Sequence, residues 1–172
     1  MDKNDIIIGV DFGGVFSVLD GSRNAEHKET TINIPNVIET ITKIVNIKDT
    51  KYNYIFYIIS YCGYKRAIET FNALRPHLHL FEKCYFVKDR MYKSELCKYL
   101  GCHIMIDDRK DILDNIIKTN SYITTILFNN YKCYYHKSID NWNDIYNYVI
   151  KYIPKEIKPD KKIDINNLIH DI

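Results

Sequence analysis

The sequence predicts a three-layer α/β domain, with a mostly parallel sheet between two layers of helices. Three observations carry this. Short apolar runs alternate with segments of helical spacing along most of the 172 residues, the signature of strand–helix–strand units. Three of those runs close on a polar residue, Asp11, Ser60 and Asp107, and in parallel sheets the functional crevice lies beyond the carboxyl ends of the strands. Gly13-Gly14, Cys62-Gly63 and Gly101 punctuate the runs, as turns between elements require.

The elements follow in order. Residues 6–10, IIIGV, are a continuous apolar run ending at Asp11, as in a strand buried on both faces. Residues 17–35 are polar and show no period, so they read as an irregular flap. From Pro35, Val37, Ile38, Ile41, Ile44 and Val45 mark one face of a helix. A second buried strand spans 54–60, and 64–74 is a helix that Pro76 stops. Residues 84–87 form a third strand, and 91–100 a helix ending at Gly101. A strand at 103–106, a short helix at 110–117 and a strand at 122–128 come next. Residues 131–136 either extend that strand or fold back as a hairpin, and a last helix covers about 140–152. Together these make a Rossmann-like unit over 1–152. Residues 153–172, with two prolines and a charge run, read as a solvated, partly disordered tail or a docking segment.

Composition sets bounds. Apolar residues make up 46% and charged residues 27% of the chain, ordinary for a globular protein and enough to bury a core without disulfides. A net charge of +2 argues neither for nor against nucleic acid. The abundant Ile, Lys, Asn and Tyr reflect an AT-rich genome, as in some large DNA viruses and parasites. Cys62, Cys84, Cys97, Cys102 and Cys133 are odd in number and match no zinc spacing. They imply free thiols in a reducing compartment, hence the cytoplasm. The first apolar run is too short for a signal peptide or membrane span. His77 and His79 read as loop residues after Pro76, and His103 as partly buried structure.

Four motifs stand in series: IGVDFGGV around Asp11, YIISYCG around Ser60, KDRMYKSELCKYLG with Lys93, and HIMIDDRKDIL with Asp107, Asp108 and Asp111. Over roughly residues 5–150 this series resembles the haloacid dehalogenase (HAD) superfamily, and within it a small-cap branch with a GVDxGGV first motif and a Cys-Gly turn after the second. The resemblance implies a HAD-like fold whose flap, about 16–36, is a minimal cap. It implies a phosphohydrolase in which Asp11 is the nucleophile, Ser60 donates to a phosphoryl oxygen and Lys93 supplies positive charge. Lys88 is an alternative to Lys93. Gly14 and Tyr61 would line the substrate. Mg²⁺ would be held by Asp11, the Gly13 carbonyl and Asp107, with Asp108 and Asp111 completing or orienting its shell. The physical case is independent: several carboxylates gathered at one sheet edge repel each other unless a cation is present, and Mg²⁺ takes hard oxygen ligands.

Two departures matter. HAD phosphatases usually carry a second aspartate two residues after the nucleophile, as general acid and base. This chain has Gly13, as does the branch it resembles. Losing such a group costs about 10²–10⁴ in rate. The chain then acts on good leaving groups, recruits another acid such as Asp20 or His27, or binds without turnover. Tyr61 stands where the branch tends to have lysine. Carbon–halogen hydrolysis needs no leaving-group acid, but nothing marks a halide cradle. The expected partner is a phosphorylated small molecule or a phosphorylated macromolecular end, with no membrane; nucleic-acid binding and self-association stay open.

Overall fold

The computed structural model describes residues 4–23, 29–48, 51–129, 133 and 135–172. Strand β1 (Asn4–Val10) leads into a tight loop. A hairpin, β2 (Ser17–Arg23) and β3 (Glu29–Asn33), and helix α1 (Val37–Val45) follow. Then come β4 (Tyr52–Tyr61), α2 (Tyr64–Leu74), β5 (Lys83–Val87), α3 (Tyr92–Leu100) and β6 (Ile104–Asp107). The chain continues with α4 (Lys110–Thr119), β7 (Thr124–Leu127), β8 (Lys137–Ser138) and α5 (Trp142–Ile150).

Six strands form one sheet in the order β5-β4-β1-β6-β7-β8, and every pairing is parallel. This is the expected Rossmann-like, three-layer α/β fold. Alternation along each strand divides the core. Ile6, Ile8 and Val10 of β1, Phe56 and Ile58 of β4, and Ile104 and Ile106 of β6 face the layer that includes α1 and α5. Ile7, Ile59 and Met105 face α3 and α4. Both faces of the central strands are therefore apolar, and the period of two is invisible in β1 as a sequence. Burying each such Ile or Val stabilises the fold by about 1.5–3 kcal/mol.

The strand order reverses at β1, with β4 on one side and β6 on the other. That reversal opens a crevice at the strand ends, and Asp11 and Asp107 stand on its two sides. The Asp11 N–H donates to the Ile106 carbonyl at 2.9 Å, which fixes the pairing one residue past β1. The loop after Asp11 is anchored from below. Phe12 and Phe16 stack at 5.7 Å. The indole N–H of fully buried Trp142 donates to the Val15 carbonyl at 2.9 Å.

Three expectations differ from the structure. The irregular flap contains an antiparallel hairpin, β2–β3. Its apolar residues Val18, Leu19 and Ile32 face solvent, so no core-facing stripe announces it. Half of the 131–136 segment lies outside the described residues, but β8 beyond it joins β7 in parallel, not as a hairpin. Residues 153–172 pack back on the domain instead of standing off as a solvated tail. Ile169 bridges Val87 in antiparallel fashion, Lys88 donates to Leu168 and His170 to Phe86 through the backbone, and Pro159 lies against Gly101, whose φ of +70° ends α3. A few apolar residues, among them Ile157, Ile165 and Ile169, hold this segment to the α3 side. Among the described residues no helix is long and apolar enough to cross a membrane.

Candidate functional site

Asp11, Asp107 and Asp108 each place a carboxylate oxygen within 4.8 Å of the others. Strand register brings the first two together, and Asp108 follows directly at the end of β6. Lys93 comes from the other direction. It sits in the first turn of α3, on the face that points back to the sheet, and its side chain is 1% exposed. Its ammonium donates to Asp107 Oδ2 at 2.6 Å and lies 3.1 Å from Asp11 Oδ1. Asp11 Oδ1 also accepts the Phe12 N–H at 2.8 Å, and Asp107 Oδ1 accepts the Arg109 N–H at 2.9 Å. No buried side-chain polar atom among the described residues lacks a partner.

The electrostatics follow from this crowding. Burial, then the Asp11 charge, pushes the Asp107 carboxyl up to about 7, against the opposing pull of Lys93 and the Arg109 N–H. Burial and Asp11 raise Asp108 as well. Burial disfavours the Lys93 ammonium, but Asp11 and Asp107 more than offset it and hold the amine charged. Cys62 lines the same cavity, yet burial pushes its thiol up to about 11, despite Arg66 and Lys93. It stays protonated near neutrality and is no nucleophile.

Three carboxylates and one ammonium leave two negative charges when all are ionised. A hard divalent cation fits that surplus and that donor set. Part of the counter-charge is already supplied by Lys93.

Asp11, Gly13, Gly14, Ser60, Tyr61, Lys93 and Asp108 all line one open cavity of about 450 Å³. Asp107 lies beneath it, fully buried. Asp111 does not join them. Helix α4 begins at Lys110, and its first turn carries Asp111 outward, where Arg109 holds it through contacts at 3.0 and 3.1 Å with its side chain 64% exposed. The resemblance implies a place for Asp111 in the metal's shell, but helical rotation turns it away. Lys88 is also absent from the cavity lining, so Lys93 takes the basic position. The side chain of Asp20 and the whole of His27 lie outside the described residues. His103 accepts the Ile7 N–H at 3.1 Å and is structural.

Gly14 and Gly13 differ sharply. Gly14 has φ +76°, and a Cβ there would collide with the Asp108 carboxylate. It keeps the loop close to the acidic cluster. A Cβ at Gly13 would meet nothing within 4 Å, so the missing carboxylate is not excluded by space.

Sequence reasoning missed the cavity's rim. Arg66, Arg90 and Arg109 line it, and Val18, Leu19 and Thr31 from the hairpin form a wall. Arg90 lies over the ring of Tyr61, 4.8 Å from its centroid. The substitution of Tyr61 for lysine was the available signal: an exposed ring beside a strand end can seat a cation from elsewhere.

No family model matches the chain, and no curated protein matches it. Among solved structures, it is similar to the crystal structure of an uncharacterized protein from Listeria monocytogenes serotype 4b. The TM-score is 0.54 at 13% identity, over 84% of this chain and 97% of that one. At that identity the likeness shows a shared fold alone.

Proposed function

We infer that the chain is a Mg²⁺-dependent, HAD-like phosphohydrolase acting on a phosphomonoester through Asp11. The observation that carries this reading is the Lys93 bridge between Asp11 and Asp107, at the point where the strand order reverses. It joins three residues of the resembling motifs in one pocket, with a fourth, Ser60, lining the same cavity.

The residues divide the work. Phe12 N–H and Lys93 hold Asp11 Oδ1, leaving Oδ2 to attack phosphorus. The new O–P bond forms as the ester P–O bond breaks, and the leaving oxygen departs with the electron pair. Ser60 donates to a phosphoryl oxygen, and Lys93 opposes the charge that gathers there. A bound Mg²⁺ would supply further charge neutralisation at the phosphoryl oxygens, with Asp11, Asp107 and Asp108 as its side-chain ligands. Water then cleaves the aspartyl-phosphate and restores the carboxylate. Gly13 offers no proton to the leaving group, so activated aryl phosphates should turn over fast and unactivated alkyl phosphates slowly.

Gly13 also favours a second reading, a HAD-like binding module that takes up a phosphorylated ligand without hydrolysing it. Phosphate release from p-nitrophenyl phosphate separates the two. The enzyme reading expects Mg²⁺-dependent release that Asp11→Asn abolishes. No release from a broad panel of phosphomonoesters, together with a Mg²⁺-induced rise in Tm, rejects the enzyme and leaves the module.

A further inference from the structure

The cavity is divided by charge. Its floor holds Asp11, Asp107 and Asp108 around Lys93, while its mouth carries Arg66 and Arg90. Lys93 is committed to the floor, and Arg109 to Asp111. Arg66 has a long 3.5 Å contact with Glu69, on the surface, where such pairs contribute little. Among the described residues Arg90 has no carboxylate partner. Its guanidinium lies on Tyr61, which is 41% exposed. Stacking of this kind limits the rotamers of the arginine and leaves its in-plane N–H donors open to an anion. Arg66 stands in the first turn of α2, where the helix dipole disfavours a cation. Local rules broken in this way are expected at functional positions.

A single phosphoryl group on the floor would leave the rim cations without a counter-charge. Val18 and Leu19 of the hairpin, 39% and 51% exposed, add apolar surface to the cavity lining. We propose that Arg90 and Arg66 form a second anion subsite, so that the ligand carries two phosphates separated by a short, weakly polar spacer resting on Val18 and Leu19. This inference rests on the phosphohydrolase reading for the role of the floor. Two sources share the chemistry: a nucleoside bisphosphate, and the phosphorylated end of a polynucleotide, whose next internucleotide phosphate is the second anion.

The test measures binding with ligands that cannot be hydrolysed. Titration calorimetry in Mg²⁺ compares propane bisphosphonate with propylphosphonate on the full chain. The bisphosphonate is expected to bind about tenfold or more tightly, as charge-assisted, bidentate contacts to arginine permit. Arg90→Ala should bring that ratio close to one, and Arg90→Lys should recover it in part, since lysine keeps charge but loses the stacked fork. Equal affinities in the wild type, or a ratio untouched by Arg90→Ala and Arg66→Ala, overturn the subsite. The two readings fail separately. Absence of hydrolysis across the panel of phosphomonoesters rejects the enzyme while the ratio remains readable, and a ratio of one with hydrolysis intact rejects the subsite alone. Displacement of the bisphosphonate by adenosine 3′,5′-bisphosphate or by a 5′-phosphorylated oligothymidylate distinguishes the sources, and a preference for either supports the subsite.

Discussion

The Lys93 ammonium and the Asp107 carboxylate meet at 2.6 Å, with the lysine side chain 1% exposed and the aspartate side chain fully buried. Neither group could stay charged there alone, because an isolated buried charge is strongly disfavoured. The pair, with Asp11 as third member, is thus a structural element as well as the centre of the proposed chemistry.

Removing the cation tests that double role. Lys93→Met should destabilise the protein by about 3–5 kcal/mol at about pH 8, the usual cost of orphaning a buried charge. At about pH 6 the loss should be smaller, because Asp107 is already raised by burial and can take up a proton instead. Urea unfolding at both pH values checks this. Equal losses at the two would mean that packing of the aliphatic stem, not charge, is what Lys93 contributes.

The pH dependence of the unliganded protein follows from the same site. The folded-state value of Asp107 is raised, to about 7. A raised carboxyl contributes stability that is fully present below its unfolded value, about 3.9. That contribution is lost as pH climbs through about 7. The Tm of metal-free protein should therefore decline across this window, and Asp107→Asn should flatten the decline. Millimolar Mg²⁺ should raise Tm more at the upper end of the window than at the lower, because the metal competes with the proton. Thermal melts with and without Mg²⁺ give both comparisons.

These properties were only partly readable in the chain. Asp11 and Asp107 stood out because each closes a run of apolar residues, and a buried parallel strand offers few other places for a carboxylate. Lys93 was readable only through the resemblance of its motif, with Lys88 as a rival, and its depth was not, since a lysine in a helix is ordinarily solvated. Asp111 misled because sequence proximity to Asp107 says nothing about helical rotation after Arg109. The hairpin was hidden because its apolar residues face the cavity mouth and solvent, leaving no alternating stripe. The packing of residues 153–172 was masked by prolines and charges, while its few apolar anchors, such as Ile169, are too sparse to form a pattern. Arg66 belongs to none of the four motifs, and Arg90 stands in the third without a role assigned to it; only the fold brings α2 and the loop after β5 to one rim.

The packed C-terminal segment leads to another prediction. His170 Nε2 donates to the Cys62 carbonyl at 2.7 Å, and its ring meets that of Tyr64 edge-on at 5.9 Å. Both partners flank the turn between Ser60 and α2. His170→Ala should cost about 1 kcal/mol, the usual net worth of one hydrogen bond. Amide hydrogen exchange should quicken at residues 61–64 more than in β1 or β6. If exchange rises uniformly, or not at all, His170 does not restrain the turn.

Two adjacent glycines give the sharpest contrast. Gly13 has open space at its Cβ position, whereas Gly14 has positive φ and faces Asp108. Gly14→Ala should cost about 1–3 kcal/mol from backbone strain alone, and the collision should displace Asp108 and weaken Mg²⁺ binding. Gly13→Asp should fold normally and place a carboxyl at the edge of the cavity, in a position to protonate a departing oxygen. On the phosphohydrolase reading, its benefit depends on the leaving group. Aryl phosphates leave without help and should gain little. Alkyl phosphates need a proton and should gain up to about 10²–10⁴ in kcat, the range of general acid catalysis. Steady-state rates on the two ester types, before and after substitution, decide it. A uniform gain would mean that the new carboxylate acts on binding, and no gain on alkyl esters would mean that the chemistry of this pocket is not limited by the missing acid.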